Sequence, residues 1–298
     1  EISLSTNNGL VSTMNWLDED GFAVQTNMQF GGLEIELKQC SMVEAIKSSD
    51  STEFLLNTLI FLEKEIPKSA KTVQFRIDTL NGATIHDLYE SKNQVVTRLN
   101  NNSFLVEVFA DNWKKQGTGK RIVPSIEYTT PNTMVDSDDP VIRSLARKAG
   151  AGSKNIFDLS QKLFQFSHYF ITKKNFHIGF ATATEVARSQ EGDCTEHAVF
   201  LAALGRAMGI PTRVATGLVF MKNFQNKKNV LGFHMWTEFL LKGKWVPLDS
   251  ALKKLGAQPD RITLTVSSLG GNSIANVSVS IAEMIGNLRV RIEKTEFK

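Results

Sequence analysis

Three residues of types that carry out nucleophilic catalysis occur in order in the second half of the chain: Cys194, His234 and Asp249. A thiol becomes a nucleophile when a neighbouring base takes its proton, and a carboxylate behind a histidine holds the imidazole in the accepting tautomer. Together these types indicate attack on an amide or ester carbonyl through a thioester acyl-enzyme. Singly, each has a structural explanation, because free cysteine is often buried and a histidine on a strand is often a hydrogen-bonded structural residue.

The residues around Cys194 predict that the thiol lies at the start of a helix. Asp193 has the residue type of an N-cap, and Glu196 stands where a capping box has its acid. The apolar run 198–204 predicts a buried helix, and the Gly-Ile-Pro sequence that begins at Gly209 predicts its end. Unpaired N–H groups and the helix dipole favour a thiolate there, whereas the adjacent Asp193 opposes it. A cationic partner for the thiolate is therefore expected.

The histidine and the aspartate are expected on the two strands of one hairpin. Alternating residue types predict a strand that carries His234 and Trp236 on one face, and a second strand that returns after Gly243 to Asp249. A loop of two or four residues would pair Trp236 with Asp249 and place His234 one diagonal step away, within reach of a hydrogen bond. A loop of three residues would put Asp249 on the opposite face. The length of the hairpin loop therefore decides whether the two side chains meet.

Other residues near the thiol are assigned supporting roles. His197 follows Cys194 by one helical turn and is a rival base, but a neighbour on the same helix points alongside the thiol rather than over it. Trp236 and Trp245 are expected to pack as cross-strand aromatic residues, with a wall around the imidazole as the alternative. The backbone N–H of Cys194 is expected to bind the oxyanion, and a second donor is sought in residues 182–188.

The remaining cysteine and histidines have no spacing that indicates chemistry. Two cysteines provide neither a disulfide framework nor the Cys-x-x-Cys pairs of a zinc site, and Cys40 is expected to be a buried residue without a role. His86, His168 and His177 have no acidic or thiol partner at a suitable spacing and are interpreted as structural. No cofactor and no metal is therefore expected.

The first part of the chain is predicted to be rich in strands. Apolar residues alternate with polar ones between turn signals, and Asn100 to Ser103 has the composition of a hairpin turn. The apolar segment 53–65 fits either a helix or a buried strand. The alternating segments are 22–30, 73–77, 95–99 and 104–108.

A stretch rich in proline, threonine and acidic residues at 129–140 indicates a linker. We therefore expect a β-rich N-terminal domain at 1–135 and a catalytic domain at 136–298. Within the second domain, Asp139 before Pro140 has the pattern of a capped helix start. The predicted elements are helices at 139–150 and 155–172, a strand at 262–266, a helical segment ending near Gly286 and a final strand at 288–292.

Composition limits the functional classes. Charged residues make up 22% and hydrophobic residues 42% of the 298 residues, which is typical of a globular protein, and no apolar run approaches the ~18 residues that cross a bilayer. A formal charge of +3 gives little support for a nucleic-acid partner, so none is expected. The chain begins with Glu1 and is therefore expected to have been processed or trimmed, which leaves the compartment open, with an extracytoplasmic location expected in preference to a cytoplasmic one.

The two motifs resemble the core of the transglutaminase-like superfamily. The first motif is GDCTEHAVFLAALGRAMGIPTRVATGLV, and the second is HMWTEFLLKGKWVPLD. They contain three blocks, around Cys194, His234 and Asp249, that are similar to those of the family in residue type, order and expected secondary structure. The resemblance covers residues 140–260 and implies an α+β, papain-like core in which the nucleophile helix packs on an antiparallel sheet. It identifies Cys194 as the nucleophile, His234 as the base and Asp249 as the partner of the base.

The resemblance implies thiol acyl transfer and leaves three activities open. A cysteine peptidase or amide hydrolase that acts on a protein or peptide is the first choice. A protein-glutamine transglutaminase, in which an amine resolves the thioester, and a non-catalytic binding module on the same fold are the alternatives. The zinc-binding cysteine pairs of the peptide N-glycanase branch are missing, and no carboxylate-rich loop has the spacing of a calcium site.

Overall fold

The computed structural model describes most of the chain. Within the described residues it contains fourteen strands, five α-helices with defined bounds, a 3-10 helix at Ile126–Tyr128 and a helical stretch at 281–284. The described residues are 2–7, 11–30, 33–45, 58–81, 85, 87–114, 123–174, 181–271, 277 and 281–297. The helices are α1 Met42–Ala45, α2 Pro140–Gly150, α3 Ile156–Phe170, α4 Ala183–Ser189 and α5 Cys194–Ala207. The predicted helices at 139–150 and 155–172 are confirmed.

The strands pair antiparallel and form three sheets within the described part of the chain. The first sheet has the order β1-β2-β3-β4, and the second has the order β12-β11-β10-β9-β13, with β5 added on β10. The third has the order β14-β6-β8-β7. The bounds are β1 Ile2–Asn7, β2 Val11–Leu17, β3 Ala23–Phe30, β4 Leu33–Lys38, β5 Ile60–Phe61, β6 Thr72–Thr79, β7 Gln94–Asn100, β8 Ser103–Phe109, β9 Thr212–Phe224, β10 Lys227–Leu241, β11 Lys244–Asp249, β12 Lys254–Leu255, β13 Arg261–Ser267 and β14 Leu288–Glu296.

Helix α5 begins and ends where the local sequence predicts. The side chain of Asp193 accepts from Thr195 N at 2.8 Å, and Glu196 Oε2 accepts from Asp193 N at 2.9 Å, which completes the capping box. At the other end, Gly209 has a φ of 74°, the left-handed conformation that glycine adopts most readily.

The body of α5 is buried against the second sheet. Its residues 196–206 are all buried, and Thr237 on β10 donates from Oγ1 to Ala198 O at 2.8 Å. A Cβ at Gly205 would lie 2.5 Å from Thr212 Cγ2 and 2.7 Å from the Phe239 ring, so the absence of a side chain permits the close approach of helix and sheet. Each fully buried Leu or Phe contributes about 1.5–3 kcal/mol relative to an exposed one. This packing confirms the predicted α+β class, with the helix that carries Cys194 packed on an antiparallel sheet.

The third sheet combines three strands from the first half of the chain with one strand near its C-terminus. β14, near the C-terminus, pairs with β6, so Ile292 lies opposite Phe75. Phe75 and Val106 share a buried cluster with Leu218 and Ile262 of the second sheet. The division at residue 135 stays a prediction, and these contacts add that the two parts share one core.

Several other predicted strands and a helical segment are present at their expected positions. β7 and β8 form the hairpin whose turn lies at 101–102, and β13 and β14 follow residue 260. Residues 281–284 are helical, as the segment ending near Gly286 predicts. Of the ambiguous segment 53–65, residues 53–57 lie outside the described residues and Ile60–Phe61 forms β5. No helix in the described ranges is long and apolar enough to cross a membrane.

Candidate active site

Cys194 is the first residue of α5 and is partly exposed in a cleft. The cleft has a cavity volume of about 270 Å³ and contains both Cys194 and His234. Most of its other lining is apolar, and Lys174 and Asp193 add charge. The apolar lining consists of Leu59, Val219, Met221, Phe224, Phe233, Ala251 and Leu252.

The hairpin loop has the length that brings the histidine and the aspartate onto one face. Lys242 and Gly243 form a two-residue turn with φ values of 45° and 82°, the signs that a type I′ turn requires at both central positions. Thr237 lies opposite Leu248, so the next pair along the strands is Trp236 and Asp249. The predicted register is therefore confirmed.

His234 and Asp249 are joined by a hydrogen bond. His234 Nε2 lies 2.9 Å from Asp249 Oδ2, and the Asp249 side chain is 1% exposed. Burial by itself favours the neutral imidazole, but the charges of Asp249 and Cys194 and the hydrogen bonds to both side chains raise the pKa of His234 to about 10. The structure thus favours the imidazolium form in contact with the cysteine side chain.

The carboxylate of Asp249 has two further donors. Leu252 N donates to Oδ1 at 3.0 Å, and Arg261 Nη1 donates to Oδ2 at 3.2 Å. Burial opposes the ionised form, but His234, Arg261 and the Leu252 N–H together lower the pKa of Asp249 below its ordinary value. Asp249 is therefore a buried carboxylate with hydrogen bonds on both oxygens.

His197 has both ring nitrogens engaged away from the thiol. Nδ1 lies 2.9 Å from Asp193 O, and Nε2 lies 2.6 Å from Lys174 Nζ. Because an ammonium can only donate, Nε2 must accept and Nδ1 must carry the proton. Burial and the charge of Lys174 lower the pKa of His197 to about 3. These contacts fit the supporting role predicted for His197.

The predictions for the other histidines and for Cys40 compare differently with the structure. His168 Nδ1 lies 2.7 Å from Ser250 O, a contact of the structural kind that was predicted. His86 and His177 lie outside the described residues. The predicted burial of Cys40 is wrong, because this residue is exposed on the segment that follows β4. The residues on both sides of it, from Lys38 to Val43, are exposed as well, so no packed core covers this segment.

The backbone of the stretch expected to supply a second oxyanion donor is already engaged. Thr182 N and Glu185 N are held by the capping box of α4, and Val186 N donates to Thr182 O. Ala183 N donates to Met134 O and Thr184 N donates to Asp136 Oδ1. The N–H groups of residues 182–186 therefore cannot serve the oxyanion without losing these bonds, which argues against five of the seven positions predicted for the second donor.

The two tryptophans occupy different environments. Trp236 is buried and stacks with His234, with ring centroids 6.3 Å apart and an interplanar angle of 23°. Trp245 lies opposite Leu240 and contacts Tyr128 edge to face at 5.4 Å. The expectation of cross-strand aromatic pairing is wrong, because the strand register places non-aromatic residues opposite both. Trp236 instead forms a wall beside the imidazole of His234, which was the alternative expectation.

Sequence reasoning missed two charged residues at this site, Lys174 and Arg261. Arg261 begins β13, whose alternation of Ile262 and Leu264 with polar residues indicated only a strand with a polar face. Lys174 stands in a basic segment after α3 that has the composition of a solvated loop. Neither position carried a signal for contact with a histidine or an aspartate on another element of the fold.

Residues 139–250 match the sequence model of the transglutaminase-like superfamily. The resemblance predicted from the motifs is thereby confirmed for this part of the chain. The matched part contains Cys194, His234 and Asp249. No curated protein matches the chain in sequence.

The solved structures that match the chain include two from bacteria and one from an animal. A protein proposed to be a cysteine protease from Cytophaga hutchinsonii has a TM-score of 0.50 and 14% identity, over 77% of this chain and 93% of that chain. The periplasmic domain of TgpA from Pseudomonas aeruginosa has a TM-score of 0.43 and 15% identity, over 76% and 79% of the two chains. Red sea bream transglutaminase has a TM-score of 0.30 and 9% identity, over 63% and 46%. The first of these supports the shared fold.

Proposed function

We propose that the protein is a cysteine hydrolase that cleaves an amide bond in a peptide or protein, with Cys194 as the nucleophile, His234 as the base and Asp249 as the partner of the base. The observation that carries this proposal is the position of His234. Its ring is hydrogen-bonded to Asp249 at 2.9 Å on one side and contacts the Cys194 side chain at the start of α5 on the other.

Each nitrogen of His234 has a separate role in the proposed mechanism, and the hydrogen bond to Asp249 supports this division. Because Nε2 is held by Asp249, Nδ1 is the nitrogen that exchanges a proton with Cys194. The thiolate attacks the substrate carbonyl carbon, a C–S bond forms, and the carbonyl π electrons move onto oxygen. When the carbonyl re-forms, the C–N bond breaks and the amine takes the proton from His234. Water then attacks the thioester, His234 takes a proton from it, and the C–S bond breaks.

Two groups near Cys194 are suited to stabilise negative charge during these steps. The backbone N–H of Cys194 belongs to the first turn of α5, where N–H groups lack intrahelical partners. Lys174 lines the same cleft, and its interactions with Asp193, Asp249 and Cys194 favour its charged form although burial lowers its pKa. The helix start and the ammonium together provide the cationic environment that the thiolate requires.

An assay with a p-nitrophenyl ester and a set of short peptides tests the proposal. Wild-type protein should release p-nitrophenol with an initial burst, because a thioester accumulates before water resolves it. Cys194→Ala should abolish the burst, whereas Cys40→Ser, which alters the exposed cysteine, should retain it. Equal rates in wild type and Cys194→Ala would contradict the proposal.

The same assay distinguishes the two possible acceptors of the acyl group. Addition of a primary amine at fixed pH should change the product ratio but not the burst if water and the amine compete for one thioester. Amide product in large excess over acid at low amine concentration would instead support a transglutaminase. A protein without any burst, but with the fold intact, would support a non-catalytic binding module.

A further inference from the structure

Arg261 is a buried arginine whose guanidinium reaches the carboxylate of Asp249. Nη1 lies 3.2 Å from Asp249 Oδ2, the oxygen that also accepts from His234 Nε2. Arg261 is 3% exposed, so its charge is screened little by water. The two residues lie on β13 and β11, with β9 and β10 between them in the sheet.

The stacking of Trp236 holds the guanidinium in place. The Arg261 Cζ lies 5.2 Å from the centroid of the Trp236 ring, and the same ring stacks with His234. A Cβ at Gly217 would lie 2.0 Å from Ile262 O and 3.0 Å from Trp236 Cη2. The glycine therefore lets β13 approach β9 closely and leaves space for the indole, which brings Arg261 and His234 to the same ring.

Two of the three guanidinium nitrogens of Arg261 lack a hydrogen bond in this position, among the residues that the structure describes. Within the described part of the chain, its buried Nε and Nη2 have no hydrogen-bond partner, and Nε lies 3.5 Å from Asp260 Oδ1 in an ion pair. A buried polar group without a hydrogen bond costs stability. The arrangement is therefore poorly explained by stability alone and better explained by the charge that it delivers to Asp249.

The charges around His234 balance only when Arg261 is counted. In the reactive form, Cys194 and Asp249 are negative and His234 is positive, which leaves one uncompensated negative charge in a buried site. Arg261 supplies the second positive charge, because the charge of its other partner, Asp260, is matched by that of Lys254. Lys174 and Asp193, which line the cleft on the side of α5, add one charge of each sign.

We propose that Arg261 is a positioning residue that holds Asp249 ionised and oriented toward His234 throughout the acyl-transfer cycle. The proposal rests on the proposed function, since Arg261 acts through Asp249 and His234 and is not among the residues that line the cleft of Cys194. When His234 releases its proton to the leaving amine, Asp249 loses its imidazolium partner. Arg261 then remains as the cation on Oδ2 and keeps the carboxylate from taking a proton.

A matched control exists in the same sheet. Arg213 on β9 is also buried, pairs with Glu238 at 2.7 Å, and lies over the Trp245 ring at 4.2 Å. Arg213→Met and Arg261→Met therefore both remove a buried, ion-paired arginine that stacks on tryptophan. They differ in whether the orphaned carboxylate is Glu238 or Asp249.

The test combines kinetics with the proton resonance of the His234 Nε2–H group. Arg261→Met should lower kcat for the ester by about ten- to a hundredfold, as expected for the loss of a charge-assisted hydrogen bond, with little change in KM. It should also displace the His234 resonance, because the acceptor Asp249 moves. Arg261→Lys, which keeps the charge, should restore part of both, and Arg213→Met should leave both near wild type.

The outcomes separate the two proposals. If Arg261→Met matches Arg213→Met in kcat and in the His234 resonance, Arg261 is not a positioning residue. If the resonance responds as expected while wild type shows no turnover, the positioning role stands and the proposed function fails. Should Arg261→Met not fold, Arg261→Gln and its control Arg213→Gln both remove the charge while keeping an N–H donor, and kcat and the His234 resonance of these two variants are compared instead.

Discussion

His234 Nε2 and Asp249 Oδ2 lie 2.9 Å apart although the two residues belong to different strands. The two-residue turn at Lys242 and Gly243 sets the register that makes this contact, so a local feature of backbone geometry places the base and its partner. The hydrogen bond leaves the other ring nitrogen for the thiol. This arrangement predicts how substitutions at the site change activity, thiol reactivity and stability.

Replacement of Asp249 by asparagine should reduce kcat for the ester by about a thousandfold or more, because the amide no longer stabilises the imidazolium or selects its tautomer. The shape of the side chain is retained, so the change isolates charge. Steady-state kinetics of the folded variant measure the effect. Asp111→Asn, which alters an acid paired with Lys244 away from the cleft, is the control. A loss of similar size in the control would point to a general effect of folding.

The reactivity of Cys194 should depend on His234. In a Cys40→Ser background, which removes the exposed cysteine, His234→Ala should slow alkylation by iodoacetamide at neutral pH by roughly tenfold or more, because the imidazolium no longer stabilises the thiolate. Mass spectrometry of quenched samples gives the rate. Under denaturing conditions both proteins should react alike, and a difference that persists there would contradict the explanation.

The protonation of His234 should couple stability to pH. Its pKa is raised from 6.5 to about 10 in the folded protein by Asp249 and Cys194, against the effect of burial. A raised pKa gives stability that is fully present below 6.5 and is lost as the pH rises through about 10. Urea unfolding at a series of pH values across this interval should show that the free energy of unfolding falls more steeply with pH in wild type than in His234→Gln. Parallel curves for the two proteins would exclude the coupling.

Lys174→Met should change both the pKa of His197 and the reactivity of the Cys194 thiol. The ammonium lowers the pKa of His197 and donates to its Nε2, so removal of the charge should raise that pKa. Alkylation of Cys194 should slow by a few-fold, roughly the effect of one partly exposed charge. A histidine titration by NMR and the alkylation rate measure these changes. Lys173→Met, at the neighbouring exposed position, should leave both unchanged.

The apolar part of the cleft should govern the size of the acyl group. A Cβ at Gly232 would lie 2.6 Å from the Met221 methyl group and 3.5 Å from Leu59, so Gly232→Val fills space between these two lining residues. We expect a higher KM for esters of bulky apolar acids and little change for an acetyl ester. Equal effects on both substrates would indicate a general distortion of β10. Met221→Ala, which enlarges the same region, should favour the bulky esters.

The strongest sequence-based predictions were those that depend on neighbours within a few residues. The capping box at Asp193 and Glu196 and the glycine stop at Gly209 are local, because each is decided by backbone geometry over one turn of chain. The sequence left the length of the hairpin loop open and predicted only its consequence, and the structure has the two-residue turn at Lys242 and Gly243. These features were enough to predict where Cys194, His234 and Asp249 lie relative to their own elements.

Contacts between distant segments were outside the reach of such patterns. The environment of Cys40, the engagement of the N–H groups of residues 182–186, and the pairing of β14 with β6 depend on how separate elements pack. Side-chain alternation identifies the face of a strand but not the partner that will cover it.

The sequence by itself therefore determined the order of the three reactive residues and the local structure that carries each. Only the tertiary structure decided that Arg261 reaches Asp249 and that Lys174 holds His197, because both contacts join segments with no periodic relation to each other. Charge in a buried site is governed by the groups that surround it in space. For that reason the electrostatics of the site emerged from packing and could not be read from spacing.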